Sequence, residues 1–149
     1  ATKNGALGAE AIILFRTDLA EEMSFRHKRA GQLASKMRYI SAQLAAYIED
    51  GLWLRLADHA NRMCNQLAEG LGAIDGVRLD VFGGANELFV ELTRETVLAL
   101  REESFEFYDW PETIAPGADR RSTIRLVTRH DTSMAEVEGM IAAVKRLAG

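Results

Sequence analysis

The apolar positions change period along the chain, and each change marks a change of element. Ala11 to Phe15, following Glu10, is a continuous apolar run rich in β-branched residues, which predicts a short strand covered on both faces. Such a strand is a central one and needs neighbours on either side. Leu19 to about Ile48 is helical in composition, with Gly31 and Ser35 as break points. Asp50 is placed to cap a long helix that ends near Gly70 or Gly72. Within it, Leu56, Ala60, Met63, Cys64, Leu67 and Leu71 recur at helical spacing as one buried stripe, with His59 one position off it.

After Gly72 the period falls to two. Val77, Leu79 and Val81 alternate with Arg78 and Asp80, and Leu88, Val90 and Leu92 follow, so two half-buried strands are predicted. Gly83-Gly84 with Ala85-Asn86 supplies a turn that pairs them antiparallel. Thr93 caps a short helix reaching about Glu103, and Phe105 to Tyr108 is a short strand candidate. Pro111, Pro116 and Gly117 mark a loop from about Trp110 to Arg121. Ile124 to Thr128 is a further strand. Ser133-x-x-Glu136 is a capping box that opens a last helix with the stripe Val137, Met140, Ile141, Val144 and Leu147. The expected arrangement is a βββ-type sheet with helices on one face, an α+β lobe over residues 51–149. Residues 1–50 read as the tail of a larger unit, because their single covered strand lacks neighbours.

Composition narrows the classes. The 149 residues are 48% hydrophobic and 27% charged, enough for a packed core. Net charge is −4 and the isoelectric point about 5.4, with no basic tract, which excludes the electrostatic footprint of a nucleic-acid binder. Ala11 to Phe15 is far too short to span a bilayer, and no signal peptide opens the chain. A single cysteine excludes an internal disulfide framework and a cysteine zinc cluster, and His27, His59 and His130 have no metal-ligand spacing. A cytoplasmic protein without a metal site, membrane anchor or nucleic-acid partner is expected. Cys64, in the helical stripe, reads as a small core residue.

Two residues carry candidate chemistry. Lys3 precedes a turn of small residues (Gly5, Ala6, Gly8 and Ala9) that leads into the predicted covered strand. A lysine enclosed at the edge of a buried sheet loses hydration and keeps a free amine, which a Schiff-base lysine requires. Arg125 stands in mid-strand on the opposite face from Ile124 and Leu126. Its planar fork suits a carboxylate ligand, and an internal ion pair with Asp or Glu, or exposure on an edge strand, is the alternative. The basic cluster Arg26, His27, Lys28, Arg29, Lys36 and Arg38 reads on its own as a solvated helix face.

Thr2-Lys3-Asn4-Gly5-Ala6-Leu7-Gly8-Ala9-Glu10-Ala11 resembles the cofactor-lysine segment of low-specificity L-threonine aldolases, a group that includes phenylserine aldolases. The resemblance continues through Lys28-Arg29-Ala30-Gly31-Gln32 and Ser35-Lys36-Met37-Arg38, and returns in Ile124-Arg125-Leu126-Val127-Thr128. It implies an α/β fold of the pyridoxal-phosphate-dependent, fold type I class: here the end of the large cofactor-binding domain (1–50) plus a small C-terminal α+β domain (51–149). It implies pyridoxal 5'-phosphate as cofactor, with Lys3 as the lysine that bonds to it, Thr2 beside it, and Lys28 near the cofactor phosphate or a subunit interface. It implies Arg125 as the residue that binds the substrate α-carboxylate. Many family members carry a Gly-Gly-rich stretch before Met-Arg and a Gln after it. Here Ser35-Lys36 precede and Tyr39 follows, which leaves Arg38 without an inherited role.

The activity implied is cleavage of a β-hydroxy-α-amino acid, of L-threonine or phenylserine type, to glycine and an aldehyde. The partners implied are an amino-acid substrate, an upstream part of the same protein, and further copies in a dimer or tetramer. The ring-stacking, pyridine-pairing and phosphate-cradling elements are expected before Ala1, the chain being read as cut just ahead of its cofactor lysine. The alternatives are another fold type I enzyme, such as a transaminase or β-eliminating lyase, and a non-catalytic α+β module.

Overall fold

A computed structural model describes residues 1–80, 85–110 and 121–148. The chain divides into two compact units, Ala1–Arg55 and Leu56–Gly149.

The first unit opens with a 3-10 turn, Thr2–Asn4, closed by Gly5 at φ 102°. Three helices follow: α1 (Thr17–Ala20), α2 (Met23–Arg29) and α3 (Met37–Ile48). Gly31, at φ 69°, takes the left-handed conformation just past the end of α2, so the predicted break falls where a residue without Cβ is needed. The expected strand from Glu10 to Phe15 does not form. These residues carry no regular structure, and Ile12, Ile13 and Phe15 are 77%, 75% and 94% exposed. The physical reason is pairing: a strand is held by a neighbour's backbone groups, and the described residues of this unit contain no strand. The buried apolar residues of the unit, among those described, are Ala6 and Ala9.

The long helix α4 spans Leu52–Gly72. Asp50 does not cap it. Glu49–Gly51 forms a 3-10 turn in which Asp50 and Gly51 both have positive φ, and the Asp50 carbonyl accepts from the Arg55 guanidinium. The stripe holds: Ala60, Met63, Cys64, Leu67 and Leu71 are buried. Gly70 serves packing rather than termination, since a Cβ there would collide with the Ile141 side chain.

The second unit contains a four-stranded antiparallel sheet ordered β1-β2-β4-β3. The strands are β1 (Arg78–Asp80), β2 (Glu87–Thr93), β3 (Tyr108–Asp109) and β4 (Arg121–Val127). The β1–β2 pairing is the antiparallel pair predicted from alternation. Val81 and the Gly83-Gly84 turn lie outside the described residues, as does the proline loop over 111–120. The candidate strand from Phe105 shrinks to Tyr108–Asp109. Ser104 sits at φ 68° behind the helix end, and the chain pairs with β4 only from Tyr108 onward.

The β2–β4 ladder runs seven pairs, from Glu87↔Val127 to Thr93↔Arg121. One face carries Leu88, Val90, Leu92, Ile124 and Leu126, all buried against α4, α5 (Arg94–Glu102) and α6 (Met134–Ala148). Helices therefore cover one face, as the alternation implies. Thr93 Oγ1 accepts from the Thr96 amide at 3.2 Å and starts α5. The Ser133–Glu136 box starts α6: Ser133 N donates to Glu136 Oε2 at 2.7 Å, and Glu136 N donates to Ser133 Oγ at 3.2 Å. In α6, Val137, Met140 and Val144 are buried, with Ile141 and Leu147 half-buried against the same core.

Leu100 is fully buried and Leu98, two positions away on α5, is 49% exposed. Leu100→Ala should cost about 2–5 kcal/mol in urea unfolding and Leu98→Ala about 0.5 kcal/mol or less. Equal losses would contradict the placement of the core.

Candidate functional site

The outer face of the sheet is the face that the helices leave uncovered. Strand period sends Glu87, Phe89 and Glu91 of β2 to it, beside Arg121, Thr123 and Arg125 of β4 and Tyr108 of β3. Arg125 lies between Phe89 and Tyr108, its Cα partners on either side. It is half-buried and pairs with Glu87: Nε donates to Glu87 Oε2 at 2.8 Å, and Nη2 donates to the same oxygen. Nη1 makes no hydrogen bond among the described residues. Arg121 Nε donates to the Glu91 carboxylate, while its Nη2 donates to the Glu91 carbonyl at 3.0 Å and the Gly76 carbonyl at 2.6 Å. Phe89 carries Trp110 on its ring, with centroids 5.1 Å apart.

A groove of about 850 Å³ opens beside Arg125, lined also by Tyr108, Phe107, Thr128, Arg129 and Glu136. Its wall is braced from below. Thr128 Oγ1 donates to the Ala60 carbonyl of α4 at 2.7 Å, and Asn86 Nδ2 donates to the Thr128 carbonyl at 2.7 Å. Two hydrogen bonds from Ser133 hold the Glu136 carboxyl below the usual carboxylate range. Burial pushes the Cys64 thiol up, consistent with a core residue and not with a nucleophile.

Lys3 is exposed, not enclosed at a sheet edge; the strand meant to enclose it is absent. Its turn is nevertheless fixed. Asn4 Nδ2 donates to Tyr47 Oη and, at 3.0 Å, to the Trp53 carbonyl, and Leu7 N donates to Gln43 Oε1 at 2.8 Å. Thr2, on the same turn, donates to Glu10 at 3.3 Å. Lys28 lies near the end of α2, also exposed. No hydrogen bond or ion pair engages the amine of Lys3 or of Lys28 among the described residues. The structure thus puts Lys3 and Thr2 together, gives Lys28 no contact with them, and carries Arg125 in the second unit. Of these groups, the uncommitted Lys3 amine has the chemistry to bond a cofactor carbonyl.

Glu87 is the participant that sequence reasoning missed. The signal is present: Glu87 and Glu91 on one strand and Arg121 and Arg125 on another share a four-residue spacing and one face. Among the described residues no cluster of three or more His, Cys, Asp or Glu is placed to hold a metal, and no helix is long and apolar enough to cross a membrane.

No family model matches the chain. It is 38% identical over 144 residues to a low specificity L-threonine aldolase from a Pseudomonas strain, covering 97% of this chain and 39% of that protein. It is 46% identical over 107 residues to the Pseudomonas aeruginosa low specificity L-threonine aldolase, covering 72% of this chain and 31% of that protein. The chain is a relative of the low-specificity L-threonine aldolases. It spans about a third to two-fifths of the length of the curated aldolases it matches. The solved Leishmania major threonine aldolase superposes with a TM-score of 0.75 at 28% identity, over 87% of this chain and 36% of that one. Sphingomonas wittichii serine palmitoyltransferase matches at 0.56 and 16% identity, over 72% and 27% respectively, a likeness of fold alone. The aldolase-related chain is thus α/β and of fold type I, the class of pyridoxal-phosphate-dependent transferases.

Cys64 should resist iodoacetamide at pH 8 in the native protein and react in denaturant; rapid native labelling would contradict its burial. The Glu136 carboxyl is lowered in the folded state, so its stabilisation is full above the unfolded carboxylate value and lost as pH falls through the folded one. The Tm gap between wild type and Glu136→Gln should therefore be widest at neutral pH and close in acid, and a gap independent of pH would contradict it.

Proposed function

We propose that this chain supplies the cofactor lysine and the carboxylate-binding arginine of a pyridoxal-phosphate-dependent aldolase. That enzyme cleaves a β-hydroxy-α-amino acid of L-threonine or phenylserine type to glycine and an aldehyde. The observation that carries the reading is Lys3: an uncommitted amine on a turn pinned by Asn4 and Gln43, in a chain 38% identical to such an aldolase over nearly its whole length.

In this reading Lys3, through its amine, and Thr2 beside it would hold the cofactor, with Lys28 near the cofactor phosphate or at a subunit interface. The bound cofactor supplies an electron sink for the pair released when Cα–Cβ breaks. Arg125 grips the α-carboxylate of the substrate. A carboxylate held by a planar fork cannot rotate freely, so the grip decides which bond at Cα stands ready to break. In the family the hydroxyl proton would pass to residues upstream of this segment or to a water they hold.

Residues 1–50 serve as the end of the large cofactor-binding domain and 51–149 as the small C-terminal domain. The upstream part of the same protein contributes the ring-stacking and phosphate-cradling groups. The enzyme works in the cytoplasm as a homo-oligomer, a dimer or tetramer, with the basic cluster around Lys28 toward an interface. The family resemblance supports these last assignments.

Lys3→Ala should abolish the visible absorbance of the bound cofactor together with release of glycine and benzaldehyde from phenylserine. Keto-acid product from the wild type would contradict an aldolase. Arg125→Lys should raise KM at least tenfold (about 1.4 kcal/mol) with the cofactor spectrum intact; an unchanged KM would remove Arg125 from the substrate site.

A further inference from the structure

We infer that Glu87 is a positioning residue for Arg125, holding one edge of its guanidinium so that the other edge stands ready for the substrate carboxylate. This rests on the reading of Arg125 as the carboxylate-binding arginine.

A guanidinium offers two edges to a planar anion: the Nε–Nη2 edge and the Nη1–Nη2 edge. Glu87 takes the first with a single oxygen, Oε2, which accepts from both Nε and Nη2. The second edge keeps its Nη1 donors free among the described residues, and Arg125 borders the groove. An ion pair in which the carboxylate met Nη1 would instead block the site. The geometry found is that of a clamp rather than a plug.

The clamp is itself anchored. Glu87 begins β2, and the residue before it, Asn86, is tied to Thr128 by a bond in each direction: Thr128 N donates to the Asn86 carbonyl at 2.9 Å, and Asn86 Nδ2 donates to the Thr128 carbonyl at 2.7 Å. Thr128 is in turn fixed to α4 through the Ala60 carbonyl. Both side chains of the pair are about one-third exposed, at 30% and 32%, so water screens the charge attraction. What remains is geometric. An arginine side chain has many rotamers, and one already held loses less freedom when its ligand binds.

The test uses the intact, cofactor-loaded protein and two calorimetric probes. One is 3-hydroxybutyrate, which has the carboxylate and hydroxyl but no amine. The other is threoninol, which has the amine and hydroxyl but no carboxylate. Glu87→Ala should weaken 3-hydroxybutyrate roughly three- to tenfold, as expected for one side chain that must now be immobilised on binding. Threoninol should bind as in wild type. KM for phenylserine should rise by a similar factor while kcat stays within about twofold. Glu87→Gln keeps an oxygen acceptor for Nε and Nη2 and should fall between the two, which preserves the test if the alanine variant does not fold.

Tighter 3-hydroxybutyrate binding in either variant would overturn the inference, because Glu87 would then be a competitor. Unchanged binding, or equal weakening of both probes, would also overturn it. Arg125→Lys separates the two levels. If it weakens 3-hydroxybutyrate and Glu87→Ala does not, the positioning role fails alone. If it leaves 3-hydroxybutyrate unaffected, the carboxylate role of Arg125 fails and the inference with it.

Discussion

The antiparallel ladder between β2 and β4 organises everything described in the second unit. Its seven pairs fix which residues face the helices and which face away. A slip of one position would send Ile124 and Leu126 into solvent and bury Arg125 in the core. The buried set on one face, Leu88, Val90, Leu92, Ile124 and Leu126, specifies the register. The charged set on the other face, Glu87 with Arg125 and Glu91 with Arg121, follows from it. Core packing thus places the chemistry: Arg125 stands where it does because its neighbours in sequence are apolar.

The periodic parts of the fold were legible in the sequence. The α4 stripe, the alternation of β2 and β4, the Thr93 cap and the Ser133–Glu136 box all report local rules that the surrounding structure does not overturn. The segment from Glu10 to Phe15 shows the limit of such reading. Its apolar run describes an environment, covered on two faces, and the described chain provides no strand to pair with it. Asp50 shows another limit. An acidic residue before a helix suggests a cap, but the following Gly51 lets the chain turn through two left-handed residues first.

The site was legible in part, and unevenly. Arg125 was visible as a charged residue in mid-strand, with the ion pair and the ligand role both open. The ion pair is what forms, with Glu87 on one edge of the fork, and the ligand role of the other edge is the proposal made above. Glu87 itself escaped notice since pairing across strands depends on register, which a single strand's pattern does not show. The sequence pattern encloses Lys3 beside a covered strand, yet it lies exposed on a turn held by Tyr47 and Gln43 of α3. Its candidacy therefore rests on an uncommitted amine, a fixed backbone and kinship with the aldolases, not on burial within this chain.

Lys3 is the residue proposed to bond to the cofactor. Borohydride reduction of the protein in the presence of pyridoxal phosphate, followed by proteolysis and mass spectrometry, tests it most directly. A pyridoxyl-phosphate adduct on the peptide that carries Lys3 is the expected result. An adduct confined to Lys28 or another lysine, or none at all, would contradict it.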